Sequence, residues 1–168
     1  MANVDSAFGL RPYGGLSPSN ATMQSRKYLI NPSGYGTTIF QGDLVKFNAG
    51  YIEQAGVSDA NIVGVFNGVF YQSSDGPVFK NFYPASTTAS SGDIEVYIYD
   101  DPDMLFLIQG DSATNTAQAN VGKNADTVDT SGSTTTGISS RELDVSTAAT
   151  TQGCLLYTSD AADDIGRG

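Results

Sequence analysis

Between Asn61 and Tyr71 the chain reads NIVGVFNGVFY, a run in which every second residue from Ile62 to Phe70 alternates large apolar side chains with glycine. In an extended strand, Ile62, Gly64, Phe66, Gly68 and Phe70 would share one face, and Val63, Val65, Asn67, Val69 and Tyr71 the other. Glycine alternating with aromatic residues suits a tightly curved strand, where missing side chains make room for bending or for close approach of another segment. A small β-barrel or sandwich needs such a strand.

The neighbouring segments agree. Strand-like runs appear at RKYLIN from Arg26, at TTIFQ after a turn cluster of Pro32, Gly34 and Gly36, and at IEVYIYD from Ile94. In the last of these Ile94, Val96 and Ile98 face one way and Glu95, Tyr97 and Tyr99 the other, the pattern of a half-buried strand. Leu44 to Phe47, a loop Asn48-Ala49-Gly50, and Tyr51 to Gln54 predict a hairpin with a three-residue loop ending in glycine. Pro77 to Phe82 reads as a short strand. MLFLIQ, from Met104, is apolar on both faces and predicts a central strand covered from both sides. One short helix is expected after Gly110, with Asp111 or Ser112 as N-cap and Gly122 as stop. Beyond it the sequence is polar, with Val128, Ile138, Leu143 and Val145 predicting short strands around a loop at Ser131 to Thr136.

Composition narrows the chemistry. With 168 residues the chain is long enough for one domain, and only 15% of residues are charged. There is no histidine, and Cys154 is the single cysteine, which excludes a Ser or Cys protease triad, a zinc finger and a His-ligated metal. A net charge of −10 repels phosphate backbones and anionic headgroups, so neither nucleic acid nor a membrane is expected as a partner. No apolar run approaches a membrane span, and the N-terminus lacks the basic region and apolar core of a signal peptide, so the chain is expected to be soluble and not exported by the general route.

Acids concentrate at Asp93, Asp100, Asp101, Asp103 and Asp111, but the D-x-D fragment lacks the rest of a calcium loop, and these read as solvated turn residues. Gly34-Tyr35-Gly36 has no third glycine at dinucleotide spacing, and Glu53, Glu95 and Glu142 read as strand glutamates rather than a glycosidase pair. No cofactor, metal, catalytic residue or small-molecule substrate is therefore expected, and the chain is not expected to be an enzyme.

The last fifteen residues, CLLYTSDAADDIGRG, resemble a translated transposon-end sequencing adaptor: the codons TGT CTC TTA TAC ACA TCT GAC GCT GCC GAC spell Cys154 to Asp163 in order. Residues 154–168 are accordingly expected to be non-native, and residues 26–153 to form a single β-rich domain truncated at its C-terminus. Three acids and one base fall in this tail, so residues 1–153 carry −8.

Residues 1–25 mix Gly9, Gly14 and Gly15 with Pro12 and Pro18, which predicts an extended N-terminal arm. Its apolar side chains Phe8, Leu10, Tyr13 and Leu16 have no periodic partner, so they must tuck against the body or dock elsewhere.

The opening MANVDSAFGLRPYG, the GDLVKF segment and the IVGVFNGVFY strand together resemble a group of small virion proteins of tailed phages common in marine metagenomes. That resemblance covers most of residues 1–145 and implies a capsid-associated β-barrel, similar in kind to head decoration or cement proteins that bind between major capsid subunits. It also implies a place in the phage head, assembly in the host cytoplasm, the major capsid protein as partner and a homo-oligomer on the capsid. On this reading Phe8, Leu10, Arg11 and Tyr13 of the arm are the partner-binding residues. A carbohydrate-binding or adhesin-like β module of a phage tail or cell surface shares the composition and stays open as the alternative.

Overall fold

The computed structural model describes residues 6–15, 23–57, 59, 61–111 and 118–149, and the backbone of 155–156. Its strands are β1 (Arg11–Gly15), β2 (Arg26–Ile30), β3 (Ile39–Phe40), β4 (Leu44–Asn48), β5 (Tyr51–Gln54), β6 (Ile62–Ser73), β7 (Gly76–Lys80), β8 (Phe82–Tyr83), β9 (Ser91–Tyr99), β10 (Met104–Leu107), β11 (Asn124–Ala125), β12 (Thr127–Val128), β13 (Glu142–Leu143) and β14 (Leu155–Leu156). The fold is mainly β, and every strand ladder is antiparallel.

The central sheet runs β2-β9-β6-β4-β5, with β7 also on β6. Its inner face packs Ile30, Val45, Ile52, Phe66, Val69, Ile94, Val96 and Ile98 into one core, closed by Ile39 and Tyr83 from the small β3-β8 ladder. Tyr28 on β2 meets Phe47 on β4 edge-on, with ring centroids 5.5 Å apart. No ladder joins β2 to β5 among the described residues.

β6 departs from strict alternation. Val45 pairs with Gly64 but Lys46 with Ile62, leaving Val63 extra; Phe66 pairs with Ile98 but Gly68 with Tyr97, leaving Asn67 extra. Each bulge shifts the side-chain phase by one residue. As a result Phe66, Val69 and Tyr71 share the inner core, while Ile62 and Val65 join a second cluster with Leu10, Leu44, Ala55, Tyr99 and Phe106. Gly64 makes this curvature possible: a Cβ there would lie 2.1 Å from the Tyr99 carbonyl oxygen. The expected two-faced pattern thus holds only between bulges.

Other expectations need correction. The β4-β5 hairpin closes on the pair Asn48 and Tyr51 with a two-residue Ala49-Gly50 turn, both at positive φ (48° and 86°), the geometry that matches strand twist. The Met104 run is not a central strand. Among the described residues β10 pairs with β1 alone, and Leu107 is exposed. Of the two courses open to the arm's apolar side chains, Leu10 takes the inward one, 2% exposed within the second cluster, and β1 completes the ribbon with β10. Of the expected helix, 112–117 lie outside the described residues, and its C-terminal part is a single 3-10 turn, Gln118–Asn120. Within the segment read as a non-native tail, Leu155–Leu156 form β14, paired with β11; the rest of 150–168 lies outside the described residues.

Candidate functional site: the cleft between the arm and β6

Three sequence segments meet at one junction. Leu10 N–H donates to the Gly42 carbonyl (3.0 Å), Gly42 N–H to the Phe66 carbonyl (2.9 Å), and Phe66 N–H back to the Asp43 carbonyl (2.9 Å). Gly9 and Gly42 both hold positive φ (67° and 95°), and a Cβ on Gly9 would fall 2.7 Å from Ser139 Cβ. Only glycine lets the arm lie this close. The AFGLRP, GDLV and VGVFNG residues thus build a single crossing.

A buried polar cluster lies beneath it. Asp43, Thr127, Ser139 and Arg141 are each no more than 1% exposed. The Asp43 carboxylate accepts from Phe40 N–H (2.8 Å), Gln54 Nε2 (2.9 Å) and the Ser139 hydroxyl. Arg141 donates to Thr127 Oγ1 (2.9 Å) and the Ala55 carbonyl (2.7 Å), and pairs with Asp129 (3.1 Å). Burial pushes Asp43 above its ordinary carboxylate value, against the lowering pull of Ser139, the Phe40 amide and Arg141. This cluster ties the 127–143 segment to β3, β4 and the end of β5.

Above the junction opens a cleft of about 290 Å³, lined by Phe8 and Arg11 of the arm, Gln41, Asn67, Tyr99 and Ile138 among others. The guanidinium of Arg11 sits 4.7 Å from the centre of the Phe8 ring, and Gln41 Nε2 donates to Asn67 Oδ1 at 3.0 Å. Asn67 is the bulged residue of β6, so the bulge releases its side chain from the ladder pattern.

The four arm residues separate here. Phe8, Leu10 and Arg11 all line the cleft, and Leu10, almost fully buried, also packs into the second cluster. Tyr13 is 66% exposed, because the β1 ladder slips between Pro12 and Gly14 and leaves it bulged outward.

The acids of the Asp100 turn are engaged one at a time. Asp100 accepts from Tyr28 Oη (2.5 Å) and Arg26 (3.3 Å), Asp101 from the Asp103 amide (2.9 Å), and Asp111 from the Val145 amide (3.1 Å). Among the described residues no group of three or more His, Cys, Asp or Glu side chains is placed to hold a metal ion.

Sequence reasoning missed Gln41, Asn67 and the Asp43–Arg141 cluster. Asn67 carried a signal, as an amide in an otherwise apolar run; Arg141 carried none, in a segment read as polar loop and short strand. Comparison with protein-family models, curated proteins and solved structures finds no match to this chain.

Proposed function

We propose that this chain is a virion structural protein, a decoration or cement-like component of a phage head that binds between major capsid subunits, and that the β1-β10 ribbon with the cleft beside it is its contact surface. The observation that carries the reading is the ribbon's exposure. Tyr13 and Leu107 are 66% and 49% exposed, on two strands with no other ladder partner among the described residues. Each such side chain contributes roughly 1.5–3 kcal/mol when buried, and a shell repeats each contact many times. Copies of the chain would then sit side by side on the head as a homo-oligomer fixed by the capsid lattice.

Co-sedimentation with heads lacking the accessory protein tests this. The native chain should pellet with the heads, and Tyr13→Ser with Leu107→Ser should remain in the supernatant while staying folded. Equal pelleting of both would refute the ribbon as anchor.

A second reading, a saccharide-binding module, is favoured by one place on the outer face of the central sheet. There Phe79, 64% exposed, lies 5.9 Å from Tyr97, and its ring covers Gly68. Aromatic rings over a glycine floor can stack on a sugar, and loss of glycan-array binding in Phe79→Ser would support that reading.

A further inference from the structure

We infer that the cleft between the arm and β6 receives an acidic side chain, glutamate or aspartate, from the protein on which this chain docks; the inference rests on the shell-binding reading and names its partner's chemistry. Arg11 carries it first. Arg26 pairs with Asp100 (3.3 Å) and Arg141 with Asp129 (3.1 Å), but Arg11 has no carboxylate partner among the described residues, although acids outnumber bases 18 to 8 in the chain. Its contact is instead the Phe8 ring at 4.7 Å. Stacking of this kind fixes the guanidinium plane and leaves its N–H edge for a planar acceptor.

Asn67 carries it next. Its Oδ1 is taken by Gln41 Nε2 at 3.0 Å, which leaves the Nδ2 donors without a partner among the described residues, on a side chain that lines the same cleft. A guanidinium and a primary amide facing one space form a donor set, and a carboxylate is the acceptor that uses both.

Size and walls choose the rest of the ligand. At about 290 Å³ the cleft sits at the low end of small-molecule sites. Phe8, Tyr99 and Ile138 supply apolar contact for a methylene stem. One side chain with an acidic head and a short aliphatic stem meets each requirement.

The test is an NMR titration of the full chain with the blocked tripeptide acetyl-Ala-Glu-Ala-amide, with its Gln counterpart, and with inorganic phosphate. The Glu peptide should shift the side-chain amides of Asn67 and Gln41 saturably. The Gln peptide and phosphate should each bind about tenfold more weakly or worse. Arg11→Gln, at an exposed position, should keep the native spectrum and lose about tenfold in affinity. Asn67→Asp, which sets a negative charge in the cleft, should abolish binding. Absent shifts at both amides, equal response to the Gln peptide, tighter binding of phosphate, or unchanged affinity in Arg11→Gln would each overturn the inference. The shell reading is judged separately: if Tyr13→Ser with Leu107→Ser abolishes pelleting with heads and Arg11→Gln does not, the acidic ligand falls and the ribbon anchor stands.

Discussion

Arg141 is the largest fully buried side chain among the described residues, and its guanidinium gathers Thr127, the Ala55 carbonyl and Asp129 onto one group. Removing it leaves a buried carbonyl and hydroxyl unpaired and a cavity behind. Arg141→Ala is therefore expected to cost about 3–5 kcal/mol, read from the urea midpoint. Asp43 gives a prediction in pH. Burial raises its folded value above the ordinary 3.8, so the native state holds this proton more tightly than the unfolded chain. Its contribution to stability is then lost as pH rises from the ordinary value through the folded one. Asp43→Asn removes that loss, so stability relative to the native chain should improve as pH rises above the ordinary carboxylate value; a difference that stays constant with pH would contradict it. Two glycines make a controlled pair. Gly64→Ala drives a methyl into the Tyr99 backbone and should cost about 1–3 kcal/mol or more. Gly14→Ala meets nothing within 4 Å and should stay within about 0.5 kcal/mol. These differences were only half legible in the sequence. The glycines of the Ile62 run announced close approach, but which backbone approaches, and that Asp43 and Arg141 lie beneath, depends on contacts between residues nearly a hundred positions apart.

At the scale of elements, period-two patterning worked where one face is buried. β9 buries Ile94, Val96 and Ile98 and only partly covers Glu95, Tyr97 and Tyr99, as its alternation predicts. Patterning failed where the ladder itself is irregular. The bulges at Val63 and Asn67 reset the phase of β6, and no local signal marks an extra residue opposite another strand. It failed again for β10, where an apolar run suggested cover on both faces. Its only ladder partner among the described residues is the arm, and its apolar side chains face the second cluster through Phe106 but solvent through Leu107. Glycine and proline break the arm's periodicity, which left open whether its apolar side chains tuck inward or dock elsewhere, and Gly9 is what lets it lie against Gly42 and Ser139. Leu10→Ala should accordingly destabilise the whole body by about 2–5 kcal/mol, the cost of a core truncation. Thermal unfolding would check this, and an unchanged Tm would mean the arm is detachable.

For the whole molecule, the arm serves two purposes at once: Leu10 closes the second cluster inward, while Tyr13 and Arg11 point outward beside a cleft. Deleting the arm would also take Leu10 out of the second cluster, so the proposed docking is best probed by outward-facing substitutions rather than by deletion. Its acidic character bears on assembly as well. On the proposed shell role, copies of like charge, −10 overall, would repel one another, so a lattice holding them at fixed spacing would have to supply the favourable contacts. Raised ionic strength should therefore affect crowding on the head more than the apolar ribbon contact itself. A reconstruction of decorated heads by electron microscopy addresses the docking most directly: density for the chain should place the β1-β10 ribbon against a joint between major capsid subunits, with Tyr13 and Leu107 buried there. Density with the ribbon facing solvent and another face of the body seated on the shell, or heads that carry no such density, would contradict it.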